Sequence, residues 1–194
     1  MALTAIDICS NALVMLGDTA ISSFEDGTTG AIAGNQLYQT VVDEALGKRL
    51  WHFTKAQAQL SRLAAEPAAR WTAAYQLPAD CDRIQAVLIN GSPIAYDRYE
   101  TGQIYCNASV EDEVIVEYLR VPTESTWPPY FRIYVEHLLA AKLAVPVTGR
   151  DELKGAFGKE ATILYGDARQ ADGGGRTASR MPISRMLSAR LAGG

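Results

Sequence analysis

The sequence predicts a mainly α-helical fold: an up-and-down bundle of about four helices, with a small antiparallel β insertion and an extended C-terminal arm. Three observations lead to this prediction. Apolar side chains recur at helical spacing near both ends of the chain, over residues 4–50 and 129–171. Short β-branched runs and an Asn-Gly turn signal fall between these segments. Residues 173–194 have little capacity to form a core.

The N-terminal part predicts two helices, at about residues 4–16 and 28–50, joined by a polar loop. Thr4 can cap the first helix, with Asp7 as its partner in a variant of the capping box. The apolar stripe of this helix ends before Gly17 and consists of Ile6, Cys9, Leu13 and Leu16. The second helix has a broader apolar face, formed by Ile32, Leu37, Tyr38, Val41, Ala45 and Leu46.

Two further helices are predicted at about residues 129–147 and 151–171. Pro128 and Pro129 suit the start of the third helix, because proline is tolerated in a first turn. Pro146 is expected to kink or end it. The inner face of the fourth helix consists of Leu153, Phe157, Ala161, Leu164 and Ala168, and the triplet Gly173-Gly174-Gly175 should break it.

The segment between the two helix pairs, residues 51–121, is predicted to be extended or β. Trp51 and Phe53 should be core anchors that join the helices to an irregular segment ending near Pro78. Strands are expected at residues 84–89, 94–99, 103–106 and 114–119. Asn90-Gly91 should form the tight turn of a hairpin between the first two, with positive φ at both positions.

The charge distribution separates a body from a tail. All 22 acidic residues lie in residues 1–172 with 14 of the 18 Lys and Arg, which gives that part a net charge of −8. Residues 173–194 contain four arginines and no acidic residue. The predicted organisation is therefore one domain over residues 1–172, followed by a flexible basic arm over residues 173–194.

Composition argues against several classes of protein. A net charge of −4 and a pI near 5.2 are atypical of a duplex-DNA binder. No apolar run approaches the length of about 20 residues that a membrane-spanning helix needs, and the first residues lack the pattern of a secretion signal. The cysteines Cys9, Cys81 and Cys106 are widely spaced, which indicates reduced and mostly buried thiols.

No catalytic residue, metal ligand or cofactor site is predicted. His52 lies between two aromatic residues and should be packed, and His137 falls on or beside the inner face of the third helix. The acidic run at residues 111–113 is interpreted as a solvated turn. The glycine triplet at residues 173–175 is no phosphate loop, because it follows a helix and lacks GxxxxGK[ST].

Four segments resemble the head-to-tail adaptor family of tailed bacteriophages, which includes the tail tubular protein A of short-tailed phages. The first, residues 5–17 (AIDICSNALVMLG) with 21–26 (ISSFED), resembles the opening of that family. The match continues with Ala31, Tyr38, Leu46 and the stretch at residues 51–53 (WHF). Residues 75–83 (YQLPADCDR) resemble its Y-x-LP-x-D-x-x-R element, and residues 139–149 (LAAKLAVPVTG) resemble its LA-x-x-LA-x-P-[IV]-T helix.

The resemblance implies a structural, non-enzymatic virion protein that assembles in the host cytoplasm and sits at the head-tail junction. Such proteins form a ring, typically of twelve subunits, that binds the portal protein above and a downstream tail protein below. DNA passes through the channel without specific binding, and no membrane is involved. In the resembled family the C-terminal arm reaches into the portal.

The arm is the predicted binding site for the portal or a neighbouring subunit. Hydrophobic anchors would supply affinity and arginines would supply orientation. The predicted partner-binding residues are Arg176, Arg180, Met181, Ile183, Arg185, Met186, Leu187 and Arg190. Two alternatives remain open at this point: a virion-associated cell-wall hydrolase, and a DNA-packaging or DNA-binding module.

Overall fold

A computed structural model describes residues 3–65, 67–99 and 102–174 of the chain. Within these residues it contains four α-helices and two antiparallel sheets of four strands each. Helices, with two short 3₁₀ turns, make up 47% of the described residues, and strands make up 22%. The expected mainly α bundle with a small β insertion is therefore wrong, and the fold is a mixed α/β one. The difference arises because segments that look irregular in sequence between residues 51 and 78 pair as strands.

The helices are α1 (Ala5–Met15), α2 (Thr29–Gly47), α3 (Pro129–Thr148) and α4 (Asp151–Gly173). Helix α3 lies at the centre of the helical layer, where it contacts the other three helices. None of the helices in the described ranges is both long enough and apolar enough to cross a membrane.

Helix boundaries follow from local chemistry. Thr4 and Asp7 form the predicted capping box at the start of α1, which is confirmed. The Thr28 side chain accepts a hydrogen bond of 3.1 Å from the amide of Ala31 at the start of α2. Gly149 ends α3 in the left-handed conformation, with φ of 69°.

Pro146 does not end α3 as its sequence position suggests. The helix continues through it to Thr148. Proline removes the hydrogen bond that its amide would give to the carbonyl of Lys142. Both residues are exposed, so water can solvate that carbonyl, and only the last turn of the helix is affected.

The first sheet has the strand order β1-β8-β4-β5, and the second has the order β2-β3-β7-β6. All pairings are antiparallel. The first sheet comprises β1 (Lys55–Gln59), β8 (Val114–Arg120), β4 (Cys81–Ile89) and β5 (Ser92–Pro93). The second comprises β2 (Ser61–Arg62), β3 (Ala73–Gln76), β7 (Gln103–Cys106) and β6 (Tyr96–Tyr99).

The tight turn at Asn90 and Gly91 is confirmed, with φ of 51° and 75°, respectively. Ile89 pairs with Ser92 across it. The single return strand expected at residues 94–99 is wrong, because the return strand stops at Pro93 and the chain then enters the second sheet as β6. Just after Pro93, the amide of Ile94 still donates to the carbonyl of Val87 at 2.9 Å.

Two hydrophobic clusters form the interior. The larger one joins the four helices around Trp51, which is 1% exposed. The Trp51 ring lies 5.0 Å from that of Phe131 and 6.1 Å from that of Phe53. The predicted role of Trp51 as a core anchor is confirmed, and Phe53 packs against the same cluster while only half-buried. The smaller cluster lies between the sheets, around Tyr75, Val87 and Ile104.

Candidate functional site

The C-terminal end of α4 carries a buried carboxylate. The inner stripe of this helix runs through Phe157, Ala161 and Ala168, and four residues further along the same face lies Asp172. Asp172 is 3% exposed. It therefore occupies a core position, at the point where the basic C-terminal segment begins.

Three donor groups converge on Asp172. The backbone amide of His52 lies 3.0 Å from each carboxylate oxygen. Nδ1 of the same histidine lies 3.1 Å from Oδ2, and the hydroxyl of Tyr130 donates to Oδ1 at 3.0 Å. These contacts join α4 to the start of α3 and to the 3₁₀ turn His52–Thr54 that precedes β1. We refer to Arg49, His52, Tyr130 and Asp172 as the Asp172 cluster.

Arg49 adds a cation to the cluster and a contact to the helix end. Its Nη2 lies 3.6 Å from Oδ2 of Asp172, and Nη1 donates to the carbonyl of Arg169 at 3.0 Å. The carbonyls of a last helical turn carry partial negative charge, which a nearby guanidinium stabilises. The guanidinium also lies 5.3 Å from the centre of the Trp51 ring. Arg49 thus connects the helix end to the aromatic core.

Hydrogen bonding keeps Asp172 ionised. Burial raises the pKa of its carboxyl, but the hydrogen bonds from His52 and Tyr130 outweigh burial and hold the pKa below its ordinary value. Burial, together with the hydrogen bond to Asp172, raises the pKa of Tyr130 to about 12. At neutral pH the cluster is therefore a carboxylate held by neutral and cationic donors.

The pairing of Asp172 with His52 resembles the base and orienting carboxylate of a hydrolytic site. Such a site requires that Nε2 of the histidine reach a nucleophile or a substrate. Here Nε2 is shielded from solvent and has no hydrogen-bond partner within the described residues. The pair can therefore position the end of α4.

The residues singled out in the sequence fall in different places. The predicted partner-binding residues, from Arg176 to Arg190, lie outside the described residues. His137 lies between α3 and α4, with Nε2 3.7 Å from Oε1 of Glu160. The acidic run at residues 111–113 lies in the turn between β7 and β8. Within residues 3–65, 67–99 and 102–174, no group of three metal-binding side chains comes together.

The cysteines are free thiols. Cys9 and Cys106 are buried in the helical and sheet clusters, and Cys81 is half-buried. Burial raises the pKa of Cys9 to about 12, which makes it a poor nucleophile.

Asp172 is not among the site residues predicted from the sequence, where residue 172 is only the predicted end of the folded domain. The signal was present in the sequence. The apolar stripe ends at Ala168, and a carboxylate at the next position of the same face is unusual, because buried carboxylates need partners. Its partners lie 120 and 42 residues away in the chain and could not be identified from spacing alone.

No protein-family model matches the sequence. A search of curated proteins also found no match.

Proposed function

We propose that the protein is a structural subunit of the ring-shaped head-to-tail adaptor of a tailed bacteriophage. It would bind the portal protein through its C-terminal segment, contact a downstream tail protein and form a conduit for DNA. Twelve copies would form the ring, and the protein would act without catalysis.

The observation that carries this proposal is the place of the family-like segments in the fold. Cys9 and Leu13 from the first segment, Trp51 from the second and Leu139 from the last lie in one buried cluster. Segments that are far apart in the chain thus form a single helical core. Joint packing of this kind favours a shared scaffold over a chance likeness of isolated motifs.

The Y-x-LP-x-D-x-x-R segment also has defined structural roles. Tyr75 and Leu77 are buried in the sheet cluster. Asp80 accepts a hydrogen bond of 3.0 Å from the hydroxyl of Tyr118 in β8, and its carbonyl accepts one from the amide of Val121. The segment thus connects the second sheet to the first. These contacts support the interpretation that the segment helps to determine the fold.

The charge distribution suits a conduit. Residues 1–172 carry a net charge of −8, and a surface of that sign repels phosphates. Lysine and arginine contacts would instead hold DNA through the release of counterions. An acidic body with a basic C-terminal segment separates the part that surrounds DNA from the part that binds a protein partner.

The Asp172 cluster fixes the position at which the C-terminal segment leaves the folded domain. A segment that docks on a portal transmits load to the residue at which it leaves the body. Here that residue follows a buried carboxylate with three hydrogen-bonded groups and an ion pair, which hold the end of α4 against α3 and the 3₁₀ turn. This arrangement supports a tether function for the chain beyond Gly174.

Co-sedimentation with the cognate portal tests the proposal. The full chain should sediment with portal rings, whereas a chain cut after Gly174 should remain in the supernatant. The cut chain retains Asp172 and the two hydrogen bonds that the amide of Gly174 makes to the last turn, so its melting temperature should barely change. Co-sedimentation of the cut chain at the level of the full chain would show that the segment has no part in binding.

A further inference from the structure

A groove with both polar and apolar walls opens between the C-terminal end of α2 and the first sheet. Three arginines line it: Arg49 just after α2, Arg83 in β4 and Arg120 at the end of β8. Leu46 and Val121 contribute apolar surface, and Val121 is 58% exposed. We call this feature the arginine groove.

Two of these arginines differ in their surroundings. Nε of Arg120 is shielded from solvent and has no hydrogen-bond partner in the described part of the chain. Arg83 is exposed, and it lies between two register shifts in the pairing of β4 with β8. Such irregularities redirect side chains out of the regular pleat. The exposed guanidinium of Arg83 is accessible to an acceptor that enters the groove.

The groove favours a particular acceptor. Guanidinium groups bind carboxylates and phosphates through paired hydrogen bonds. The walls also contain Asp43 and Asp82, which would repel a polyanion such as the DNA backbone. A single carboxylate beside an apolar side chain satisfies the arginines, covers Leu46 and Val121, and avoids most of this repulsion. An acidic peptide segment with an exposed apolar residue has this chemistry.

The chain itself presents such a segment at the other end of β8. The turn at residues 109–113, which we call the β7–β8 turn, has Val110 at its tip with 80% of its surface exposed. Glu111 and Glu113 beside it are exposed as well. The amide of Ser109 donates to Oδ2 of Asp112 at 2.7 Å. This hydrogen bond fixes the shape of the turn, so binding would order few additional groups.

We propose that the β7–β8 turn of one copy of the chain inserts into the arginine groove of a second copy. The turn and the groove lie at opposite ends of β8, which spans seven residues and therefore about 20 Å. The two surfaces of one chain cannot meet. A contact between unlike surfaces of successive copies is heterologous and closes into a ring when the rotation permits.

This inference rests on the proposed ring and names the contact that builds it. Disulfide trapping tests it, in a chain that carries Cys81→Ser to remove the half-buried thiol. The variant Val110→Cys with Val121→Cys should give a ladder of covalent oligomers on mild oxidation. An intramolecular bridge is ruled out, because a disulfide requires Cα atoms within about 7 Å.

The matched control is Val110→Cys with Val14→Cys. Val14 on α1 is 56% exposed, close to the value for Val121, but lies outside the groove. It should give no ladder. Absence of the ladder in the test variant, or an equal ladder in the control, overturns the proposal.

Charge reversal gives a second readout. Arg83→Glu should reduce the yield of the ladder at least tenfold, and Arg83→Glu combined with Glu111→Arg should restore most of it. Duplex DNA binding that Arg83→Glu abolishes would assign the groove to phosphates and overturn the proposal. Portal-bound rings without the ladder would contradict this contact alone, whereas a ladder from a protein that does not bind portals would contradict the adaptor function alone.

Discussion

The backbone amide of His52 lies 3.0 Å from both carboxylate oxygens of Asp172, 120 residues further along the chain. This contact fixes the end of the last helix against the junction between the helical layer and the first sheet. It also places a buried charge next to residues 173–194, which contain four arginines and no acidic residue. The Asp172 side chain therefore affects both the stability of residues 1–172 and the position at which the C-terminal segment leaves the domain.

We expect Asp172→Ala to lower the free energy of unfolding by about 3 kcal/mol, because it leaves buried donors without an acceptor and removes the ion pair with Arg49. Denaturant titration of the purified protein measures this change. The matched control is Asp167→Ala, an exposed position on the same helix, for which the change should stay within about 0.5 kcal/mol. Equal stability of the two variants would show that the cluster does not hold the helix end.

The stability of the wild-type protein should fall in acid partly through Asp172. Its pKa in the folded state is lower than in the unfolded chain, so its contribution is present above an unfolded pKa of about 3.9 and disappears as pH drops through the folded value. Asp172→Asn should be less stable at neutral pH. The difference between the two proteins should shrink below about pH 4. Urea titrations across this range measure it, and a difference independent of pH would contradict the assignment of an ionised carboxylate.

Trp51→Ala should cost about 3–5 kcal/mol, because it removes a large buried side chain from the centre of the helical cluster. The indole also donates a hydrogen bond of 2.9 Å to the carbonyl of Ala45. Trp71→Ala, at a half-buried position outside this cluster, should cost clearly less. Melting temperatures of the two variants provide the comparison, and a wild-type melting temperature for Trp51→Ala would contradict the central role of this residue.

Gly91→Val should destabilise the β4–β5 hairpin while leaving the helices intact. No atom lies within 4 Å of a Cβ placed at Gly91, so the effect comes from its φ of 75°, where a side chain costs about 1–2 kcal/mol. Gly91→Asn should be milder, because asparagine tolerates this conformation. Hydrogen exchange at Ile89 and Ser92 measures local opening, and circular dichroism checks the helices. Equal exchange in the two variants would indicate that the turn conformation does not limit the hairpin.

The helices could be predicted from sequence because each has an apolar stripe and a local start or stop signal. The extent of the sheets could not. Asn90-Gly91 identifies a turn, but the length of the paired strands depends on which sheet receives Tyr96. Likewise, β1 (Lys55–Gln59) is weakly apolar and becomes a strand only through its pairing with β8.

The candidate site, like the sheets, depends partly on neighbouring positions in the sequence and partly on residues that are far apart in the chain. The position of Asp172 on the inner face of α4 is readable from spacing. Its partners Arg49, His52 and Tyr130 come from three other parts of the chain, and only the fold brings them together.

Electron microscopy of the protein mixed with its cognate portal tests the central claim most directly. The adaptor account predicts a second ring beneath the portal, coaxial with it and of matching rotational symmetry, with density for the C-terminal segment extending from the end of α4 onto the portal. The same mixture made with the chain cut after Gly174 should show bare portals. Bare portals with the full chain, under conditions in which both proteins are folded, would contradict the account.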